Sequence, residues 1–357
     1  MFWHPLRLES ARIHRFEAFW VRQVEKMGAR KSERLPFASK THRASARQNQ
    51  LVQPVLESDL RIGTSGRHVL ALIGTDAGRY PYGTSLLVEG PEETLLIDPS
   101  LAISQRGGVP APRVDRMLVS HAHEDHLAGC HRFPEAALHA HHHDVGALRS
   151  IDALLEVYGM DDAASAVWAP QLVENFNYEP RLDASGFDDG HTFDLGGGLR
   201  VEVVHLPGHT RGHCAFLVEP EGVLFVADID LSAFGPYYGD HWSDLEDFER
   251  SLARVREIDA RWYVTFHHKG IVEGAEEFRR QVDAFGAVIG AREARLLDYL
   301  AEPRTIDEVV AHRFIYRPGV QLVWADNVER RSMTMHITRM VRSGGVVEVE
   351  PGTYRAA

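Results

Sequence analysis

The stretch Ser120–Gly129, SHAHEDHLAG, crowds three imidazoles and two carboxylates between His121 and His126. His121 and His123 stand two residues apart, so on an extended segment both rings point to the same side. Asp125 and His126 follow once the chain has turned, and they face a second position nearby. A loop of this kind belongs at a strand end, where it can build two adjacent metal pockets. Imidazole and carboxylate donors suit zinc, and also iron or manganese. Four donors cannot fill two pockets, so the fold must bring further donors to the same edge from distant strand ends.

Those donors are in the sequence. LPGHTRGH supplies His209 just after the apolar run VEVVHL, LFVADID supplies Asp228, and WYVTFHHKG supplies His267 or His268. Cys130 and Cys214 are the only cysteines among 357 residues, too few for a disulfide framework or a thiolate metal site. That usage fits a reducing compartment. The chain shows no apolar run of membrane-spanning length and no signal-peptide pattern at its start, so the expected address is the cytoplasm.

Three regions differ in pattern. Residues 1–65 carry 12 Lys and Arg against 6 Asp and Glu, and Ile13, Phe16, Trp20, Val24 and Met27 fall at helical spacing over 8–28. Residues 66–290 are acidic, with 17 against 36. They hold two groups of short apolar strands, with helices expected at 134–149, 150–168 and 242–258, the pattern of an α/β protein with two sheets. Residues 291–357 read as helices at 291–302, 305–313 and 326–342 and a hairpin, the order of a winged helix. Thr305 and Glu308 form a capping box at the start of the second helix. The domain expectation is therefore an N-terminal extension (1–65), a catalytic domain (66–290) and a small winged-helix domain (291–357).

The ligand-bearing segments resemble the metallo-β-lactamase-fold hydrolase superfamily, whose loop reads H-x-H-x-D-H, here His121-Ala122-His123-Glu124-Asp125-His126. Four further motifs follow the family order around it: LLIDPS ending a strand at Asp98, the P-G-H-T turn at His209, a strand ending in Asp228, and a late histidine. With the tail, the chain resembles a subgroup that includes glyoxalase-II-like hydrolases and some relatives implicated in RNA cleavage. The resemblance implies an αββα sandwich followed by a winged helix. It implies that His121, His123 and His209 hold one metal, that Asp125, His126 and the late histidine hold the other, and that Asp228 bridges. Asp98 would orient a ligand imidazole. Relatives commonly read P-G-H-G where this chain reads FHHKG; the spacing favours His268, with His267 in reserve.

Two divalent ions, zinc before iron or manganese, would share a bridging hydroxide. Asp125 would position the attacking water and shuttle its proton. Tyr237 and Tyr238, in GPYYGD, and Lys269 are expected to contact substrate. His141, His142 and His143 lie in a stretch read as helical, where neighbouring rings diverge. His191 is read as structural, and His213 as a residue of the site rim.

The reaction class is hydrolysis, and a small-molecule ester or thioester of the hydroxyacylglutathione type is the expected substrate. The alternatives are an endoribonuclease or phosphodiesterase using the winged helix on RNA, and a lactonase or β-lactamase. A ligand sensor with a DNA-binding winged helix is the non-enzyme alternative. The acidic middle weighs against nucleic acid. A homodimer is among the expected assemblies.

Overall fold

The computed structural model describes residues 58–357. The helix expected at 8–28 lies outside the described residues.

Seven short strands form the first sheet in sequence order: β1 (Leu60–Ile62), β2 (Val69–Leu72), β3 (Ser85–Glu89), β4 (Thr94–Ile97), β5 (Arg116–Leu118), β6 (Ala137–His141) and β7 (Ser185–Phe187). Pairing is antiparallel from β1 to β4 and parallel from β4 to β7. The second sheet, ordered β13-β12-β11-β10-β9-β8, contains β8 (Thr192–Asp194), β9 (Arg200–His205), β10 (Cys214–Glu219), β11 (Val223–Ala227), β12 (Trp262–Thr265) and β13 (Ile271–Glu273). Only β11 and β12 run parallel in this sheet.

The central strands are apolar on both faces because both faces are covered. Leu86, Val88, Leu95 and Ile97 meet Val203, Phe216, Val218 and Phe225 between the sheets. Leu70, Leu87, Leu96 and Met117 turn outward beneath helices that contribute Leu148, Leu154, Trp168 and Leu172. On the opposite side Ala215, Leu224 and Tyr263 pack under Phe248, Phe278, Val282 and Phe285. The layers are therefore helix, sheet, sheet, helix, as expected for the sandwich.

Several boundaries differ from the sequence expectation. The stretch 134–149 is strand β6 followed by a short helix, Val145–Arg149. Leu138 and Ala140 alternate into the core there, and that period of two overrides the helical reading of the histidine run. The helix expected over 150–168 divides at Gly159, whose φ of 55° ends Ile151–Tyr158. Asp161 then caps Asp162–Glu174 by accepting from the Ala164 N–H.

Among the described residues the first sheet begins at β1, ahead of residue 66. One 25-residue helix, Ala275–Tyr299, crosses position 290. It carries Phe278 and Phe285 for the sandwich, and Leu296 for a separate cluster with Val309, Met333, Ile337 and Val346. The tail adds helices Ile306–His312 and Ala325–Ser343 and a three-stranded antiparallel sheet of β14 (Arg304–Thr305), β16 (Thr353–Ala356) and β15 (Val346–Glu350). The Thr305/Glu308 capping box is formed, and Gly344 at φ 80° closes the Ala325–Ser343 helix.

Candidate metal centre

Parallel strands end on one edge, and this geometry assembles the site. Asp98 follows β4, the 120–126 loop follows β5, Asp228 follows β11 and His267 follows β12. His209 comes in from the turn after β9. Gly208 in that turn has φ +127°, and a Cβ there would lie 2.2 Å from the Phe248 nitrogen. Only glycine fits. A one-turn helix, Glu124–Leu127, starts after His123 and sends Asp125 and His126 in a different direction from the two preceding histidines.

Two groups of donors result, His121, His123, His209 and Asp228, and Asp125, His126 and His267. In the first, His121 Nε2 lies 2.9 Å from His123 Nδ1, and His209 Nε2 lies 3.1 and 3.0 Å from those two atoms. Three mutually close ring nitrogens cannot all be satisfied by sharing protons. In the second, His267 Nε2 lies 3.0 Å from Asp125 Oδ2, and His126 Nε2 lies 3.8 Å from Asp125 Oδ1. Asp228 faces both groups, with Oδ1 3.2 Å from His126 Nε2 and Oδ2 3.4 Å from His209 Nε2.

His126 Nε2, Asp125 Oδ2 and Asp228 Oδ1 are buried, and although they lie within ion-pair distance of neighbouring donors none makes an aligned hydrogen bond. Converging imidazole and carboxylate donors of this kind suit metal cations, and the residues fit such a group.

The outward nitrogen of each imidazole is held by the protein, which fixes the ring and its tautomer. His126 Nδ1 lies 2.7 Å from Asp98 Oδ2. His209 Nδ1 donates to the Tyr237 carbonyl at 2.9 Å and His267 Nδ1 to the Gly78 carbonyl at 2.7 Å. His121 Nδ1 is 3.0 Å from Ser120 Oγ, which donates to Asp98 at 2.6 Å. His123 turns Nε2 to Asp240 Oδ2 at 2.9 Å, close enough for an ion pair but not aligned as a hydrogen bond.

Electrostatics follow from burial. It holds the His121 imidazole well below the usual range, with His126 and His209 adding repulsion. Burial would raise the Asp228 carboxyl, but the cationic forms of His126 and His267 outweigh it and hold the group well below the carboxylate range.

His268 does not join the site. Its backbone is left-handed at φ 60°, and its Nε2 sits 3.8 Å from Asp230 Oδ2. The chain reverses there, with Lys269 N–H donating back to the His267 carbonyl. His267 is thus the last side chain to face inward, and the expectation of His268 is corrected to the reserve residue. Lys269 is exposed beyond the turn and lies outside the site. Tyr238 is corrected too: it is buried, and its hydroxyl bonds His336 Nε2 at 2.9 Å in the tail. Tyr237 stays at the site, its ring centroid 5.6 Å from that of His209 and its hydroxyl donating to Asp240 at 3.1 Å. His213 is buried behind the donors, where its Nε2 accepts the Asp228 N–H at 3.3 Å. His191 is exposed on its turn, and His141 stacks on His205 at 4.0 Å, away from the centre.

Four supporting residues escaped the sequence reading. Asp144 Oδ2 accepts from the Ala122 N–H and the Thr210 hydroxyl, both at 2.9 Å, tying the histidine loop to the P-G-H-T turn. Glu124 accepts the hydroxyls of Tyr80 at 2.7 Å and Tyr158 at 2.5 Å, and the Tyr158 ring stacks on His123. Asp240 is the fourth residue, with Tyr158 and Glu124. Its signal was its place in GPYYGD, beside Tyr237.

Residues 79–268 match the model of the metallo-beta-lactamase superfamily. The chain belongs to the metallo-beta-lactamase superfamily. Among curated proteins it is 27% identical to a hydroxyacylglutathione hydrolase of Acidiphilium cryptum, over 65% of this chain and 82% of that one. It is 26% identical to an acyl-coenzyme A thioesterase of Bos taurus, over 50% and 68%, and 23% identical to an atrochrysone carboxyl ACP thioesterase of Aspergillus fumigatus. The alignment with the last spans 60% of each chain. Among solved structures, a metallo-beta-lactamase family protein from Thermus thermophilus superposes with TM-score 0.60 at 23% identity, over 81% of this chain and 99% of that one. A beta-lactamase domain protein from Burkholderia ambifaria gives 0.62 at 18%, over 84% and 94%. Both likenesses establish the fold. Among the described residues no helix is long and apolar enough to cross a membrane.

Proposed function

We propose that this superfamily member is a dinuclear metal-dependent hydrolase of thioesters. The observation that carries the reading is Asp228, one carboxylate turned with separate oxygens toward two buried donor groups. His121, His123 and His209 would hold one ion and Asp125, His126 and His267 the other, with Asp228 able to offer an oxygen to each. The nitrogen and oxygen donors favour zinc, with iron or manganese as alternatives. Bound there, divalent ions supply Lewis acidity and bring the pKa of water down toward about 7. Asp125 is the carboxylate placed to orient the attacking water and accept its proton. Burial pushes the Cys130 thiol up to about 12, which removes it as a nucleophile.

The thioester assignment is supported by three relatives whose names each specify a thioester substrate. The tail, read as a winged helix, is proposed to pack on the sandwich and not to bind nucleic acid. Arginines of its long helix are paired with acids: the half-buried Arg339 with Glu249 and Glu293, each at 2.7 Å, and the exposed Arg342 with Glu246. Arg330 pairs with Asp307 at 2.6 Å. Basic groups neutralised in this way add little to phosphate binding. The two free cysteines support a reducing, cytoplasmic setting.

Thiol release from acyl-coenzyme A and acylglutathione substrates tests the reading, using zinc-, iron- and manganese-loaded protein beside His209→Ala. Release that depends on metal and vanishes in the variant is expected. Absence of release with every metal and every thioester would remove the thioester assignment. Separately, Asp240→Asn is expected to weaken metal retention about 10–100-fold in chelator competition, because it removes the charge facing His123. Unchanged affinity would show that Asp240 does not support the ligand.

A further inference from the structure

A chain of aromatic side chains runs from one donor group to the other. Tyr80 stands against His267 with ring centroids 6.1 Å apart, and meets Phe176 at 6.5 Å. Phe176 meets Trp168 at 5.9 Å, and Trp168 meets Trp324 at 4.9 Å. Tyr316 packs in one cluster with Trp324 and Tyr237, and Tyr237 returns to His209. Phe176, Trp168 and Tyr316 are buried, whereas Tyr80, Tyr237 and Trp324 keep part of their surface exposed. Rings that are partly open are thus backed by rings that are closed.

The collar has two sources. Tyr80, Phe176, Trp168 and Tyr237 belong to the sandwich and its loops, while Tyr316 and Trp324 come from the tail. Arg331, a cation the tail brings near Asp240 and Tyr237, donates to the carbonyls of Tyr158 and Gly159. It therefore ties the tail to the sandwich, and this sets Trp324 and Tyr316 beside Tyr237.

We propose, resting on the thioesterase reading, that this collar receives the acyl part of the substrate, and that the enzyme acts on thioesters of apolar, ring-bearing acyl groups in preference to small hydroxyacyl thioesters. A thioester carbonyl reacting at Asp228 has its acyl substituent flanked by Tyr80 on the His267 side and Tyr237 on the His209 side. Flat rings stack on such faces with favourable offset or edge contacts, and their burial supplies selectivity that a short polar acyl group cannot draw on. Trp324 and Tyr316 are then specificity-determining residues carried by the tail.

The test compares kcat/KM of the metal-loaded full chain for benzoyl-coenzyme A, acetyl-coenzyme A and S-lactoylglutathione, in the parent and in Trp324→Ala and Trp324→Leu. Quenching of tryptophan fluorescence by the uncleavable thioether S-benzyl-coenzyme A is read beside it. Benzoyl-coenzyme A is expected to be preferred at least tenfold over both other substrates. The benzoyl-to-acetyl ratio should fall about tenfold in Trp324→Ala, mainly through KM, and less in Trp324→Leu, which keeps bulk without the ring. Preference for S-lactoylglutathione, or a ratio unmoved in both variants, overturns the collar while leaving the thioesterase reading intact. If no thioester is cleaved, that reading fails. The collar is then judged by the thioether alone: saturable quenching, weakened in Trp324→Ala, supports it, and no quenching overturns it.

Discussion

Asp228→Asn is expected to lower kcat/KM for thioester cleavage about a thousandfold or more, equivalent to roughly 4 kcal/mol of transition-state stabilisation. The parent carboxylate lies between His126 and His209 and reaches both with different oxygens. An amide retains one oxygen and loses the charge, so it can serve one group but not both. Metal content should fall with activity, from two ions per chain to one or fewer, as read by elemental analysis after gel filtration. The backbone at this position should survive, because the His213 Nε2 still accepts the N–H there. Circular dichroism would confirm that the loss is local. An Asp228→Asn protein with full metal and full activity would rule out the bridging assignment.

The second large effect is on stability. Glu329 is fully buried, and its carboxylate gathers the N–H groups of Phe314 at 2.9 Å, Ile315 at 3.0 Å and Tyr316 at 2.7 Å. Glu329→Ala leaves those donors without their acceptor in a buried turn. The expected cost is about 3–5 kcal/mol, read as a lower midpoint in urea unfolding. Glu329→Gln should recover part of it, because the amide oxygen still accepts. The segment released is the one that carries Tyr316, so selectivity among acyl groups should decline together with stability. A midpoint unchanged in Glu329→Ala would show that the turn is held by its apolar contacts alone.

The two donor groups, apart from the choice between His267 and His268, were legible in the sequence because their members follow strand ends. The period of two in HAH and the turn at Glu124 separate the two groups without any knowledge of distant contacts. Two sheets with helices were legible from two groups of short apolar strands relieved by helices, while the sandwich order came from the family resemblance. The Thr305/Glu308 box is local, and it formed as expected.

What was misread depends on partners remote in sequence. His267 and His268 are equivalent in composition. Only the reversal at φ 60° and the carbonyl of Gly78, 189 residues away, select the first. Tyr237 and Tyr238 are adjacent in GPYYGD, and His336 in the tail decides that the second is core. The histidine run at 141–143 looked helical because its alternation is short, and pairing with β5 and β7 makes its start a strand. Asp144 and Asp240 are ordinary acids until Thr210 and His123 are brought beside them.

The most direct test of the central claim is a metal titration of chelator-stripped protein, following thiol release from an acyl-coenzyme A substrate at each addition. Activity absent in the stripped protein and rising until two equivalents are bound is the predicted result. Turnover by the metal-free chain, or full activity at a single equivalent, would contradict a paired centre built on Asp228.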